Sequence, residues 1–358
     1  SVIGSSCIGA SVVGGICNNS GGNLVNRGPA YTEYSLFAQL NRDGKLELVN
    51  HLGIELGTSP EEILTTLQNT NFNTEDLANG ERLASDHEYQ KRVRNVSSPI
   101  PARFNADKRR LREASGCAGK LAVFAVRLDT FPKPKTEKVF YLGTNKPEQL
   151  TELRKQILTG FEYLPDMGEY LHRSYFDGAD LYCKDAYLAI KYFGTGFIPK
   201  LFGIKRNVDR IVSQWPTSLF QDHFSDRTLH CISQMVPDHL PARMRSFRDQ
   251  YEHHMIILTS DQSIKETQEL LEKSWQSDDD HSYFECTESE GKAALLHRYV
   301  AGNAPARYQI LNQDNSGELL PLDIALPRNC ETWHKLLPEE ILSQMAESFQ
   351  MAHFLCMV

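Results

Sequence analysis

Glycine occupies seven of the first twenty-eight positions (Gly4, Gly9, Gly14, Gly15, Gly21, Gly22 and Gly28), and up to Gly22 the residues between are small or short-branched apart from the amide pair Asn18-Asn19. A residue without Cβ lets main-chain N–H groups approach a phosphate or a ring system and permits φ > 0, at an entropic cost to the folded chain. The run therefore restricts the fold to one that clears backbone for a large ligand.

Two common nucleotide fingerprints fail on spacing. A dinucleotide-binding turn needs G-x-G-x-x-G between a strand and a helix, and a phosphate loop needs four residues between its first glycine and Gly-Lys-Ser/Thr. Gly116-Cys-Ala-Gly119-Lys120-Leu121 is too short for the second and ends in leucine. What remains is Gly14-Gly15-Ile16-Cys17-Asn18-Asn19-Ser20-Gly21-Gly22, a glycine pair, a short bridge, then Asn-Ser-Gly-Gly.

At 358 residues the chain suffices for two or three domains. Its formal net charge of −8 argues against nucleic acid as a partner of the whole molecule. The eight cysteines are scattered without a C-x-x-C pair. They read as thiols in a reducing compartment, and no His, Cys or Asp cluster has metal-ligand spacing, so no metal is expected. No apolar stretch reaches the roughly 20 residues of a spanning helix, and the N-terminus lacks the order of a signal peptide. There is no initiator methionine, and the chain starts in the glycine run and stops in strand-like Phe354–Val358, so both ends are expected to be cut.

The β-type runs Tyr34–Ala38 and Leu46–Asn50 flank the turn signal Asn41-Arg-Asp-Gly44 and predict a hairpin. Residues 58–115 are polar and helix-biased, with Ser59 placed to cap a helix whose first turn holds Pro60. Leu121–Val126 reads as a buried strand, Val139–Leu142 as a strand and 147–161 as an amphipathic helix. Residues 251–258 read as a strand, 263–274 as a helix, and Tyr308–Leu311 and Leu319–Leu326 as strands. The segment between them, His172–Arg248, therefore looks inserted into an α+β unit. It holds eleven Lys or Arg against seven Asp, a local reversal of the overall charge.

On the Gly-Gly…Asn-Ser-Gly-Gly loop the chain resembles the flavoproteins of the vanillyl-alcohol-oxidase type. The resemblance is closer to the bacterial respiratory, quinone-dependent D-lactate dehydrogenases. It rests on Ser1–Ser11, Cys17–Gly22, Arg27–Glu33, Asn50–Gly53, Ser115–Phe131, Tyr251–His254 and Leu322–Leu326, and runs over essentially the whole chain. It implies an α+β fold: the second half of a PCMH-type FAD-binding domain (1–130) and a cap domain in three parts (131–171, 249–285 and 312–358). The cap carries an inserted basic, helical membrane-binding segment (172–248, returning at 286–311). It also implies noncovalent FAD, held at Gly4, Ser11, Gly21 and, by main-chain contact, Val123. A first FAD subdomain is expected before Ser1 and a closing segment after Val358, so the fragment alone is expected neither to retain FAD nor to be active.

In the basic segment Lys184, Lys191, Lys200, Lys205, Arg206 and Arg210 are interleaved with Tyr182, Tyr187, Tyr192, Phe193, Phe197 and Phe202, and Arg243, Arg245 and Arg248 follow. Cations attract anionic lipid headgroups and aromatics suit the membrane boundary. A solvated face over an aromatic core has the same composition. The resemblance implies an anionic phospholipid surface.

Oxidising a 2-hydroxy acid needs a cation for the carboxylate, a base for the hydroxyl proton and a hydride path from C2. Among the candidates His253, His254 and Arg298, strand alternation sends His253 and His254 to opposite faces, so at most one of the two can face a flavin. The resemblance implies oxidation of D-lactate to pyruvate, electron transfer to membrane quinone and a place on the cytoplasmic face of the bacterial inner membrane. A relative acting on another 2-hydroxy acid, and a noncatalytic membrane module, are the alternatives.

Overall fold

The computed structural model describes residues 11–21, 24–73, 81–214, 223–276, 278, 280–312 and 324–335. These fall into two units, one from Ala10–Val93 and Pro101–Lys133, the other from Arg94–Ile100 and Pro134–Val358. Both contain helices and an antiparallel sheet.

In the first unit, α1 (Val12–Cys17) precedes the hairpin of β1 (Ser35–Leu40) and β2 (Leu46–Asn50). The hairpin closes as its turn chemistry requires: Asn41 Oδ1 accepts from the N–H groups of Asp43 and Lys45, and Gly44 takes φ +74°. Helix α2 (Pro60–Gln68) is capped by the Ser59 side chain. After α3 (Tyr89–Arg94) comes β3 (Ala122–Val126), which pairs with β1 to give the order β2-β1-β3. Two expectations change here. Gly14 and Gly15 lie inside α1 rather than in a loop, because Ser11 caps that short helix. The run 121–126 is an outer strand with alternating exposure, Phe124 being half exposed, because only β1 covers its edge among the described residues.

The second unit is built on β4 (Glu137–Thr144), α4 (Pro147–Gly160), β5 (Met167–His172), α5 (Arg173–Tyr182), α6 (Lys184–Phe193), α7 (Ile198–Val212), α8 (Phe224–Met235) and α9 (Ala242–Gln250). It continues through β6 (His253–Ser260), α10 (Gln262–Ser274), β7 (His281–Glu285), α11 (Glu288–Ala301) and α12 (Ala304–Leu311). The sheet order is β5-β6-β4-β7. Val139, Tyr141, Met167, Leu171, Ile256 and Phe284 face a core shared with α5, α6, α9 and α11. The alternate residues Phe140, Leu142, Met255 and Ile257 are also buried, on the side of α4 and α10. At Gly143 a Cβ would stand 2.2 Å from the Tyr251 ring, so that helix-to-sheet approach needs glycine.

Residues 308–311, expected as a strand, form the second half of α12, which Pro305 starts within its first turn. A four-residue apolar run carries too few periods to separate helix from strand. Of the expected strand 319–326, residues 319–323 lie outside the described residues, and 324–326 have no strand pairing among them.

Two polar features lie inside the second core. Glu169 of β5 and Arg298 of α11 form a double hydrogen bond, Nε to Oε2 at 2.8 Å and Nη2 to Oε1 at 3.0 Å, with Glu169 fully buried. His254 and His297 are wholly buried and both neighbour the Phe176 ring, at centroid distances of 5.9 and 4.4 Å. Burial pulls both imidazoles down to about 3, so they are neutral in the fold.

Glu169→Gln, which takes the carboxylate charge away from Arg298, is expected to cost about 3–5 kcal/mol in urea unfolding, whereas the double change Glu169→Leu/Arg298→Met is expected to be far milder. The histidines give a pH dependence of definite sign. Unfolded imidazoles take up protons below pH of about 6.5, whereas the folded ones resist until about 3, so stability present at neutral pH declines as the pH falls between those values. His297→Leu is expected to reduce the stability difference between pH 7 and pH 5 by about 2 kcal/mol, and an unchanged difference would contradict this assignment.

Candidate functional site

In the first unit the glycine-bearing segments 11–21 and 115–119 come together. The Gly116 and Ala118 N–H groups donate to the Ile16 and Cys17 carbonyls at the end of α1, at 2.9 and 3.0 Å. Gly116, Ala118 and Gly119 all have positive φ, which turns the chain sharply into β3. Ser11 is exposed, and its Oγ accepts from the Gly14 N–H at 3.0 Å. Val123 packs its side chain toward Ile16, Ala30 and Ala114. Gly4 lies outside the described residues.

Gly21 is held against a side chain that sequence spacing gave no reason to single out. A Cβ there would lie 2.5 Å from Arg103 Cδ, so the arginine in this position lies directly against the bare backbone. Among the described residues, Arg103 Nη1 is buried without a hydrogen-bond partner, as is Oδ1 of Asn19, whose Nδ2 donates to the Asn105 carbonyl. A cationic donor and an amide acceptor are thus left over beside a bare backbone. Buried polar groups of this kind are costly unless something pairs with them, and an anionic oxygen is the natural match for the guanidinium.

In the second unit the paired ends of β5 and β6 bring His172 opposite His253, their rings 5.4 Å apart edge to face. His253 Nδ1 meets the Tyr170 hydroxyl at 2.8 Å. His172 Nδ1 meets Ser174 Oγ at 2.7 Å, and its Nε2 faces Glu252 Oε1 at 3.2 Å. Burial, with the neighbouring His172, draws His253 down to about 4, and burial also lowers His172 and raises Tyr170. The alternation along β6 is as its period requires: His253 lies beside Tyr170, and His254 points into the helix-covered core. Arg298 has its fork on Glu169 in that core. Of the three catalytic candidates, only His253 is partly exposed to solvent and next to other titratable groups.

The carboxylates of Asp180 and Asp238 and the His239 imidazole converge within 4.8 Å, close enough to hold a metal ion. The Arg245 guanidinium already spans both carboxylates, at 2.6 and 2.8 Å to Asp180 and 2.5 and 2.8 Å to Asp238.

Ion pairing also redistributes the basic segment. Lys184 donates to the Val236 carbonyl, Lys205 pairs with Asp226, Arg243 with Glu290, Arg245 as above, and Arg248 with Asp177 and Asp249. Lys191, Lys200, Arg206 and Arg210 make no ion pair among the described residues and lie on α6 and α7. No described helix is long and apolar enough to cross a membrane.

Residues 139–358 match a family model described as D-lactate dehydrogenase, membrane binding. The chain is 50% identical along its whole length to the quinone-dependent D-lactate dehydrogenase of Escherichia coli (strain K12), of which it covers 62%. It is also 50% identical to that of Haemophilus influenzae, covering 63%, and 41% identical to that of Corynebacterium glutamicum, covering 62%. It thus spans about three-fifths of the length of these curated relatives. With its membrane-binding match taking in the whole helical layer and the sheet beneath it, the chain belongs to the D-lactate dehydrogenase membrane-binding family.

Proposed function

We propose that this chain is part of a peripheral, flavin-dependent respiratory enzyme that oxidises D-lactate to pyruvate and passes the electrons to membrane quinone. It works at an anionic phospholipid surface on the cytoplasmic face of the bacterial inner membrane. The observation that carries this reading is the 50% identity, over an alignment that covers the whole chain, to two quinone-dependent D-lactate dehydrogenases. In this reading 1–130 is the second half of a PCMH-type FAD domain. Residues 131–171, 249–285 and 312–358 form the cap, and 172–248 with 286–311 the membrane-binding part.

The residues present suit FAD held noncovalently. The unpartnered Arg103 Nη1 offers a charge-assisted donor to a phosphate oxygen, Asn19 Oδ1 an acceptor, and Gly21 the close backbone approach. Gly4, Ser11, Gly21 and Val123 complete the proposed contacts, Ser11 by its hydroxyl and Val123 by the main chain of an outer strand. When bound, FAD supplies the acceptor for the hydride that leaves substrate C2.

His253 is the proposed base. In the tautomer whose Nδ1–H donates to the Tyr170 oxygen, Nε2 is the lone-pair nitrogen, and the low basicity that burial imposes keeps it unprotonated at neutral pH. Tyr170 is then a positioning residue. His254 and Arg298 are assigned to the scaffold in this reading, on the strength of their burial.

Anaerobic addition of D-lactate to the full-length protein is expected to bleach its flavin absorbance, and an unbleached flavin would rule the dehydrogenase reading out. There, His253→Gln is expected to lower kcat by about 10²–10⁴ with flavin content unchanged, whereas His254→Gln is expected to lower stability first. Arg103→Met is expected to lower flavin retained per protein after gel filtration, with an unchanged circular dichroism spectrum. Full retention would remove Arg103 from the site.

A further inference from the structure

We propose that the corner formed by the end of α6, the 194–197 turn and the outer face of α7 is an apolar wedge that enters an anionic bilayer, with Tyr192 and Phe193 as its leading side chains. The inference rests on the membrane reading above and concerns how contact is made. A surface that adhered by charge alone would present cations and keep its large apolar side chains inside. Here five of the nine cations in the basic, aromatic segment are taken up by carboxylates or a carbonyl. Tyr192, Phe193 and Phe202 go the other way and are exposed.

Residues 191–196 are exposed without interruption, and Tyr192 and Phe193 are each 69% exposed. Helix α6 ends there because Gly194 takes φ +76°, and a Cβ at Gly194 or Gly196 would meet nothing within 4 Å, so the turn projects from the unit. The Phe193 ring lies 5.0 Å from that of Phe197, and the Lys191 ammonium lies over the Tyr192 ring at 5.8 Å.

Helix α7 continues the surface. Its inner side is fixed to α8 by the pair Lys205–Asp226 and by Asp209, which accepts from the Ser225 N–H and hydroxyl at 2.8 Å each. At 3.6 residues per turn, Lys200, Ile204 and Ile211 fall on the opposite side, with Arg210 at the edge of that face. Ile204 and Ile211 are each 53% exposed. Apolar side chains beside cations that make no ion pair among the described residues, with aromatics at the tip, fit the boundary between anionic headgroups and acyl chains. An aqueous protein partner would not need this mixture at a projecting turn.

The test uses vesicles of equimolar phosphatidylglycerol and phosphatidylcholine, in low salt and in about 1 M NaCl, where the screening length is about 3 Å. The full-length protein is expected to stay partly bound at high salt. Tyr192→Ser/Phe193→Ser is expected to lower that salt-resistant partition at least about tenfold, with unchanged circular dichroism and Tm. Separately, the indole fluorescence introduced by Phe193→Trp is expected to be quenched by lipids with brominated acyl chains. Full salt-resistant binding by the serine variant, or an introduced indole that stays unquenched on bound vesicles, overturns the wedge. Complete release of the unaltered protein by salt overturns it too while leaving an electrostatic membrane contact standing. No vesicle binding even at low salt overturns both the wedge and the membrane reading.

Discussion

The buried pair Glu169–Arg298 is the constraint on which the second unit turns. Two charges removed from water hold their place only by facing each other with their hydrogen bonds met. Because side chains on a strand alternate, seating Glu169 on the helix-covered side of β5 commits Tyr170 and His172 to the other side. A one-residue slip of β5 would bury His172 and strand the arginine. The pair therefore sets the register that brings Tyr170 and His172 to His253. The same arginine fixes α11, against which α5 and α6 pack, so the sheet and the outward helices share one anchor.

A second theme is the difference between charge as composition and charge as surface. The excess of Lys and Arg over Asp between His172 and Arg248 is real, yet Arg245 and Arg248 lie against Asp180, Asp238, Asp177 and Asp249. Such pairs hold helices α5 and α9 together and present little net field to the outside. What faces outward is set by which few cations found no partner.

Much of the architecture was legible because local chemistry and periodicity agreed. The Asn41–Gly44 turn, the Ser59 cap before Pro60, and the alternation that separates His253 from His254 all follow from neighbours in sequence. The glycine pair of α1 was harder, since two helix-weakening residues argue for a loop unless one knows that Ser11 caps them and that residues 116–118 dock on the helix end. Residues 308–311 were too few to show a period. Arg103, Tyr170 and Glu169 could not be singled out, because their roles depend on Gly21, His253 and Arg298, each 80 or more residues away in sequence. Partners that far apart leave no spacing rule to read.

The two histidines inside the second core also separate the molecule's tolerance of acid from that of its chemistry. His253 remains unprotonated until the pH approaches about 4, whereas the cost of keeping His254 and His297 neutral grows from well above that value. Acidification therefore erodes the stability of the fold at pH values at which the imidazole beside Tyr170 can still accept a proton. Activity lost by that route would fall in a cooperative unfolding transition, steeper than the titration of one base and dependent on time of exposure.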